Sequence, residues 1–137
     1  MLGEKPLILV ADSDEALLKR VTSLACSEDY DAVVMTTGGA VMETARRLRP
    51  ALIVLEVALP DVDGRDLLRA LKRDPEVRDI PVLMWSGRDY DSDRRIALEL
   101  GAADYVPKSE SVMLMPKIAR VLLNAKRDSE LVTPERR

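Results

Sequence analysis

Five short apolar runs alternate with helical patterns along the 137 residues of the chain. This alternation is typical of βαβ units that build a parallel sheet covered by helices on both faces. The first, third and fourth runs are continuously apolar, as strands buried on both faces are. The five predicted strands are Leu7–Ala11, Ala32–Met35, Ala51–Leu55, Pro81–Trp85 and Ala102–Val106. The sequence therefore predicts an α/β protein.

Apolar residues at helical spacing follow each run and predict five helices whose apolar stripes belong to the core. Pro116 is tolerated only in the first turn of a helix, so we expect the fifth helix to start near Leu114. From Asn124 onward the chain is polar. We therefore predict one domain over residues 1–124 and a polar C-terminal tail or linker over residues 125–137.

Pro107 ends the fifth run and cannot donate an N–H group to a sheet, which favours an edge position for that strand. A doubly wound, flavodoxin-like α/β/α sandwich with strand order 2-1-3-4-5 places the strand at an edge. In this topology ligands bind beyond the carboxyl ends of strands one and three. We expect the functional site there.

Composition excludes several classes of function. A net charge of −3, from 21 basic and 24 acidic residues, lacks the basic excess that direct nucleic-acid binding uses. The lone Cys26 excludes an internal disulfide framework and a Cys/His zinc site. Residues 1–6 do not resemble a signal peptide, and no apolar run is long enough to span a membrane. We expect a cytoplasmic protein without a membrane partner.

Polar side chains follow four of the predicted strands. Carboxylates can hold Mg²⁺, while hydroxyl and ammonium donors can balance the oxygens of a phosphoryl group. The residues are Asp12, Ser13 and Asp14 after the first strand, Glu56 after the third, Ser86 and Gly87 after the fourth, and Lys108 after the fifth. Together they predict a site for Mg²⁺ and a phosphate-like group.

Four stretches give the chain a resemblance to a known family, and it extends over about residues 5–124. The stretches are ILVADSD at 8–14, LIVLE at 52–56 with LPDVDG at 59–64, PVLMWSG at 81–87 and GAADYVPK at 101–108. They resemble the chemotaxis-type receiver domains of bacterial two-component response regulators. The resemblance implies a phosphorelay signalling module that is not itself an enzyme. It also implies a histidine kinase or a downstream output protein or domain as partner, and it leaves a homodimer open.

Glu56 stands where the family has its phosphoacceptor Asp. The extra methylene moves the carboxylate by about 1.5 Å, and a misplacement of about 1 Å can cost on the order of 100-fold in rate. We do not expect efficient phosphorylation. Glu56 is then either an acidic residue that merely ends a strand or a permanent negative charge that partly mimics a phosphoryl group.

The resemblance assigns a Mg²⁺ cofactor to Asp12, Glu56 and the backbone carbonyl of Ala58. Ser13 stands where a second acid is expected and would be a weak ligand, so we expect weakened Mg²⁺ binding. A purely structural interpretation is also open. Asp12 and Glu15 have the spacing of a capping box, and Ser13 is itself a good N-cap residue.

Ser86 and Lys108 correspond to the residues that contact the phosphoryl group in the family, and Ser86 and Tyr105 correspond to its switch pair. Lys108 could also pair with Glu56 without any phosphate, and we predict that salt bridge. Tyr105 could instead be a half-buried edge residue. We assign Trp85 to the core.

Charged residues mark the face that family members usually offer to partners, although a solvated surface would look the same. They are Arg94, Arg95, Glu99, Asp104, Lys117 and Arg120.

Three functions remain open at this stage. The first is a pseudo-receiver that works by protein–protein interaction. The second is an ordinary phosphoacceptor domain whose Asp was replaced by Glu, by design or by drift. The third, an FMN-binding flavodoxin-like protein, is disfavoured because Asp12, Asp14 and Glu15 would repel the FMN phosphate.

Overall fold

The computed structural model describes residues 4–87 and 91–132. Within these residues, five strands alternate with five α-helices, and a short 3₁₀ segment, η1, precedes the last helix. In chain order the elements are β1 Leu7–Ala11, α1 Glu15–Ser27, β2 Asp31–Met35, α2 Val41–Leu48, β3 Leu52–Glu56, α3 Gly64–Arg73, β4 Val82–Ser86, α4 Asp91–Glu99, β5 Asp104–Pro107, η1 Lys108–Met113 and α5 Leu114–Val132. Every predicted strand is present, with its ends displaced by at most two residues.

The five strands form one parallel sheet in the order β2-β1-β3-β4-β5. Both the doubly wound fold and the predicted strand order are confirmed. Pro107 is the last residue of β5 and lies opposite Ser86 on β4. Pro107 therefore ends an edge strand, a place in a sheet where proline is tolerated.

Successive residues of the central strands point to opposite faces of the sheet and enter two separate apolar clusters. On β3, Ile53 and Leu55 pack with α2, α3 and α4, while Leu52 and Val54 pack with α1 and α5. All four side chains are fully buried. The predicted apolar stripes are not buried throughout, because Leu24 on α1 remains 48% exposed.

The N-terminus of α1 corrects the predicted capping box. Asp14, not Asp12 or Ser13, is the N-cap residue, and its carboxylate accepts a hydrogen bond of 3.1 Å from the Leu17 N–H group. The helix therefore starts later along the chain than the capping box requires. Asp12 is therefore not the N-cap residue of α1, and it lies directly after the last residue of β1.

The last helix begins at Leu114, as predicted, with Pro116 in its first turn. It continues to Val132, so residues 125–132 of the predicted tail are helical. Polar composition alone does not end a helix, and residues 124–132 contain neither Gly nor Pro. The domain boundary at residue 124 stays a prediction, and residues 133–137 lie outside the described residues. In the described part of the chain, no helix is both long and apolar enough to cross a membrane.

Candidate functional site

Two acidic residues occupy neighbouring positions at the carboxyl edge of the sheet. Asp12 directly follows β1, and Glu56 is the last residue of β3, the strand hydrogen-bonded to β1. Both side chains are buried, with 1% of Asp12 and 5% of Glu56 exposed. Buried carboxylates require compensating partners, because transferring an unpaired charge out of water is very costly.

Lys108, which directly follows the edge strand β5, supplies that compensation. Its Nζ atom lies 2.6 Å from Oδ2 of Asp12 and also contacts Oε1 of Glu56. The predicted salt bridge between Lys108 and Glu56 is confirmed. One ammonium against two carboxylates leaves a formal excess of one negative charge at this edge of the sheet.

The environment of Lys108 acts on its pKa in two opposing ways. Burial alone would lower the pKa, because it removes the ammonium from water. Hydrogen bonds and charge attraction from Asp12 and Glu56 outweigh burial and raise the pKa above its ordinary value of 10.5. The pair of carboxylates therefore holds Lys108 in its charged form.

Asp12 accepts hydrogen bonds from two further groups of the protein. Oδ1 accepts from the backbone N–H of Asp14 at 2.8 Å, and Oδ2 accepts from the indole N–H of Trp85 at 2.7 Å. Trp85 does lie in the core, as predicted, with 1% of its surface exposed. Its contact with Asp12 was not predicted, because the sequence does not reveal where an indole N–H group points.

The Glu56 carboxylate turns back onto its own chain. Oε2 accepts a hydrogen bond of 2.9 Å from the backbone N–H of Ala58, while Oε1 faces Lys108. Gly64, the first residue of α3, passes so close that a Cβ atom there would lie 2.1 Å from the Glu56 carbonyl oxygen. Only glycine allows this approach of α3 to the end of β3.

Ser86 and Tyr105 lie on the neighbouring strands β4 and β5. Ser86 ends β4 and is 1% exposed. Tyr105 is 2% exposed, so the alternative of a half-buried edge residue is wrong. The Arg94 guanidinium on α4 lies 6.0 Å from the centre of the Tyr105 ring, within range of a cation–π contact. An added Cβ atom at Gly87 would meet nothing within 4 Å, so the backbone beside Ser86 is open.

A third carboxylate, that of Asp61, links two loops by hydrogen bonds. The side chain of Asp61, which follows β3, accepts hydrogen bonds from the backbone N–H groups of Gly38 at 2.9 Å and Gly39 at 2.8 Å. The N–H group of Gly38 is the main reason why the pKa of Asp61 is lowered. This link between the loops after β2 and β3 was not predicted from the sequence.

Charged residues of α4, β5 and α5 form ion pairs within the chain. Asp104 Oδ1 lies 3.4 Å from Nη1 of Arg94, and Asp104 Oδ2 lies 3.3 Å from Nζ of Lys117. Of the other residues assigned to this face, Arg95, Glu99 and Arg120 are not buried. The face therefore presents both signs of charge to solvent.

Comparison with known proteins decides the family. Residues 8–120 match the family model of the response regulator receiver domain. The chain belongs to this family. It is 34% identical over 125 residues to the DNA-binding response regulator MtrA of Mycolicibacterium smegmatis, which covers 90% of the chain and 52% of MtrA. It is 35% identical over 112 residues to the response regulator PleD of Caulobacter vibrioides, covering 81% of the chain and 25% of PleD.

Solved structures support the same fold. The signal receiver domain of a LuxO repressor protein from Vibrio parahaemolyticus superposes with a TM-score of 0.84, covering 93% of this chain and 98% of that domain at 22% identity. The chain spans about half the length of MtrA and a quarter of PleD. These matches make the chain a receiver module of two-component signalling, and they give no support to an FMN-binding protein.

Receiver domains in general bind Mg²⁺ at the phosphorylation site, but this arrangement of residues does not fit that ion. Within residues 4–87 and 91–132, no group of three or more His, Cys, Asp or Glu residues could hold a metal ion. The Lys108 ammonium lies between the two carboxylates, and Ser13 is exposed to solvent. Ala58 presents its N–H group to Glu56. Both carboxylates of the expected ligand set are therefore paired with Lys108.

Proposed function

We propose that this receiver domain signals in the cytoplasm through protein–protein interaction, without a phosphorylation cycle at Glu56. The observation that carries the proposal is the salt bridge between Lys108 and Glu56 inside a buried site. Glu56 thus supplies a permanent negative charge, paired with Lys108, at the position where phosphorylation adds negative charge transiently in the family.

Glu56 is a poor nucleophile in this arrangement. Attack on phosphorus requires a carboxylate oxygen that can approach the phosphodonor in line with the leaving group. Here Oε1 is bound to Lys108 and Oε2 to the Ala58 N–H group. The longer side chain displaces the carboxylate as well, and a displacement of about 1 Å costs on the order of 100-fold in rate.

The remaining residues of the site match a domain held in one state. We assign Ser86 and Lys108 to the places that contact a phosphoryl group in the family, and Ser86 and Tyr105 to its switch pair. Ser86 and Tyr105 are both buried, and Lys108 is already engaged by Asp12 and Glu56. A domain with this site does not need a new charge to pull these side chains inward.

The partner we propose is a histidine kinase or an output protein or domain that reads the face formed by α4, β5 and α5. Exposed apolar side chains also occur on α4, where Ile96 is 38% and Leu98 is 43% exposed. Direct nucleic-acid binding is not part of the proposal, because the net charge of −3 offers no basic surface excess.

A second candidate function is favoured by three residues of the site that resemble those of the family. By resemblance we assign Lys108, Ser86 and Tyr105 to positions that a working phosphoacceptor domain uses. If Glu56 is the only obstacle, the domain is an ordinary receiver whose acceptor was replaced. Restoring the shorter acid then restores phosphorylation.

Intact-mass measurement separates these possibilities. The unchanged protein, Glu56→Asp and Glu56→Gln are incubated with Mg²⁺ and a small phosphodonor such as acetyl phosphate. We expect no added phosphoryl group on the unchanged protein or on the Gln control. Uptake by Glu56→Asp alone supports the second candidate as the origin of the site and identifies Glu56 as the block. If neither the unchanged protein nor Glu56→Asp takes up a phosphoryl group, the interaction role is supported and the second candidate is excluded. Uptake at Glu56 in the unchanged protein overturns the proposal.

A further inference from the structure

Three donors of the protein converge on the Asp12 carboxylate. They are the Lys108 ammonium at 2.6 Å, the Trp85 indole N–H at 2.7 Å and the Asp14 backbone N–H at 2.8 Å. Two of the three, Trp85 and Lys108, share the same oxygen, Oδ2. Charge-assisted hydrogen bonds are stronger than neutral ones, so these three contacts hold the carboxylate toward groups of its own chain.

Trp85 contacts Lys108 as well as Asp12. The Nζ atom of Lys108 lies 5.7 Å from the centre of the indole ring, within range of a cation–π interaction. The indole edge thus donates to the carboxylate while the ring attracts the ammonium that pairs with it. Trp85 is held in place for both contacts, because it lies on the interior strand β4 with 1% of its surface exposed.

From these contacts we infer that Lys108 is the resident cation of this site, and that Trp85 is a positioning residue that holds Asp12 against it. The inference rests on the proposed function and adds to it that the site keeps its arrangement without a divalent metal ion. Asp12 and Glu56 are joined by an ammonium that belongs to the chain.

A divalent ion would have to displace this arrangement. Mg²⁺ requires oxygen ligands in near-octahedral geometry and gives up its own waters reluctantly. To reach both carboxylates it must expel Lys108 from between Asp12 and Glu56, and Oδ2 of Asp12 would still be bonded to Trp85. A second acidic ligand could compensate for these lost contacts, but Ser13 stands at the position where the resemblance to the family places it.

The chain carries its own reporter for a test, because Trp85 is its only Trp. The fluorescence of Trp85 and the thermal midpoint are followed while Mg²⁺ is added through the millimolar range at constant ionic strength. For the unchanged protein we expect no saturable change in either signal. A saturable response overturns the inference, whatever the variants do.

Lys108→Met removes the ammonium and keeps most of the side-chain volume. We expect this variant to gain a saturable rise in thermal midpoint with Mg²⁺, because two uncompensated carboxylates then face the added ion. Lys117→Met is the matched control, since Lys117 pairs with Asp104 outside the site. It should remain as insensitive to Mg²⁺ as the unchanged protein. If Lys108→Met folds and gains no response, Lys108 is not the cation that excludes Mg²⁺.

The positioning role of Trp85 is tested by a double-mutant cycle, which detects coupling between two side chains. Trp85→Phe keeps an aromatic ring, although a smaller one, and removes the N–H donor. We expect its shift in thermal midpoint to be non-additive with that of Lys108→Met and additive with that of Lys117→Met. If the shifts in thermal midpoint are additive in both pairs, Trp85 does not position Asp12 against Lys108 and acts only as a core residue. If Lys108→Met does not fold, Trp85→Phe is combined with Lys108→Arg in the same cycle.

These outcomes are separable from those of the proposed function. Binding of Mg²⁺ by the unchanged protein without phosphoryl uptake overturns the resident-cation inference and leaves the interaction role intact. Phosphoryl uptake at Glu56 overturns the interaction role instead.

Discussion

Lys108 follows the edge strand β5, and yet its ammonium contacts the carboxylate of Glu56, which ends β3 on the far side of β4. The long, flexible stem of lysine makes this reach possible. The ion pair therefore reaches across β4 and links the end of the edge strand β5 to the end of the middle strand β3.

Lys108→Met should destabilise the fold by on the order of 2 kcal/mol at neutral pH. Breaking a fully buried pair costs more, but the Lys108 side chain is 25% exposed, so the loss is reduced by solvent. Urea unfolding measures the difference. Lys117→Met, which removes a partly exposed lysine from Asp104, should cost less. An equal loss of unfolding free energy in the two variants would show that the buried ion pairs of Lys108 stabilise the fold no more than the pair of Lys117 does.

The stabilisation by Lys108 should also depend on pH. Its pKa in the folded protein is raised above 10.5, so its contribution is fully present below 10.5 and is lost as the pH rises through the folded value. Unfolding free energies of the unchanged protein and Lys108→Met should therefore converge at strongly alkaline pH. Lys72 gives a control of opposite sign, because burial lowers its pKa. Relative to Lys72→Met, the unchanged protein should gain stability as the pH rises toward 10.5.

Two glycines beside the site should differ sharply in their tolerance of alanine. Gly64→Ala places a Cβ atom 2.1 Å from the Glu56 carbonyl oxygen and 2.8 Å from Cα of Val57, both backbone atoms. We expect a loss of about 3 kcal/mol in unfolding free energy. Gly87→Ala meets nothing within 4 Å and should change stability by less than about 0.5 kcal/mol. A neutral Gly64→Ala would contradict the close packing of α3 on β3.

The hydrogen bonds that Asp61 accepts from Gly38 and Gly39 should weaken in acid, when the carboxylate is protonated. Its pKa is lowered chiefly by the N–H group of Gly38, so its contribution to stability is present above 3.8 and disappears as the pH falls through the lowered value. Asp61→Asn should be less stable than the unchanged protein at neutral pH and equally stable in strong acid. Acid titration of thermal midpoints measures this, with the exposed Asp66→Asn as control for net charge. A constant difference at every pH would rule out the carboxylate as the cause.

The sequence was sufficient for the features that follow from strand order. Parallel strands bring their carboxyl ends to one edge, so the meeting of Asp12, Glu56 and Lys108 could be predicted, as could the edge position of Pro107. The N-cap of α1 was assigned to the wrong residue, because Asp12, Ser13 and Asp14 are all good caps and only the backbone angles decide among them.

Other contacts depend on side-chain direction or on pairs distant in sequence. An apolar run shows that Trp85 is buried but not that its N–H group faces Asp12, 73 positions away. The bonds from Gly38 and Gly39 to Asp61 join two loops across 22 or 23 positions. Neither contact leaves a pattern at helical or strand spacing, so periodicity cannot reveal it.

The decisive measurement is the mass of the unchanged protein after incubation with Mg²⁺ and acetyl phosphate. We expect no added phosphoryl group, because the carboxylate of Glu56 is displaced and bound by Lys108 and the Ala58 N–H group. One added phosphoryl group, located at Glu56 by fragmentation of the peptide that contains it, would contradict a receiver domain that works without a phosphorylation cycle.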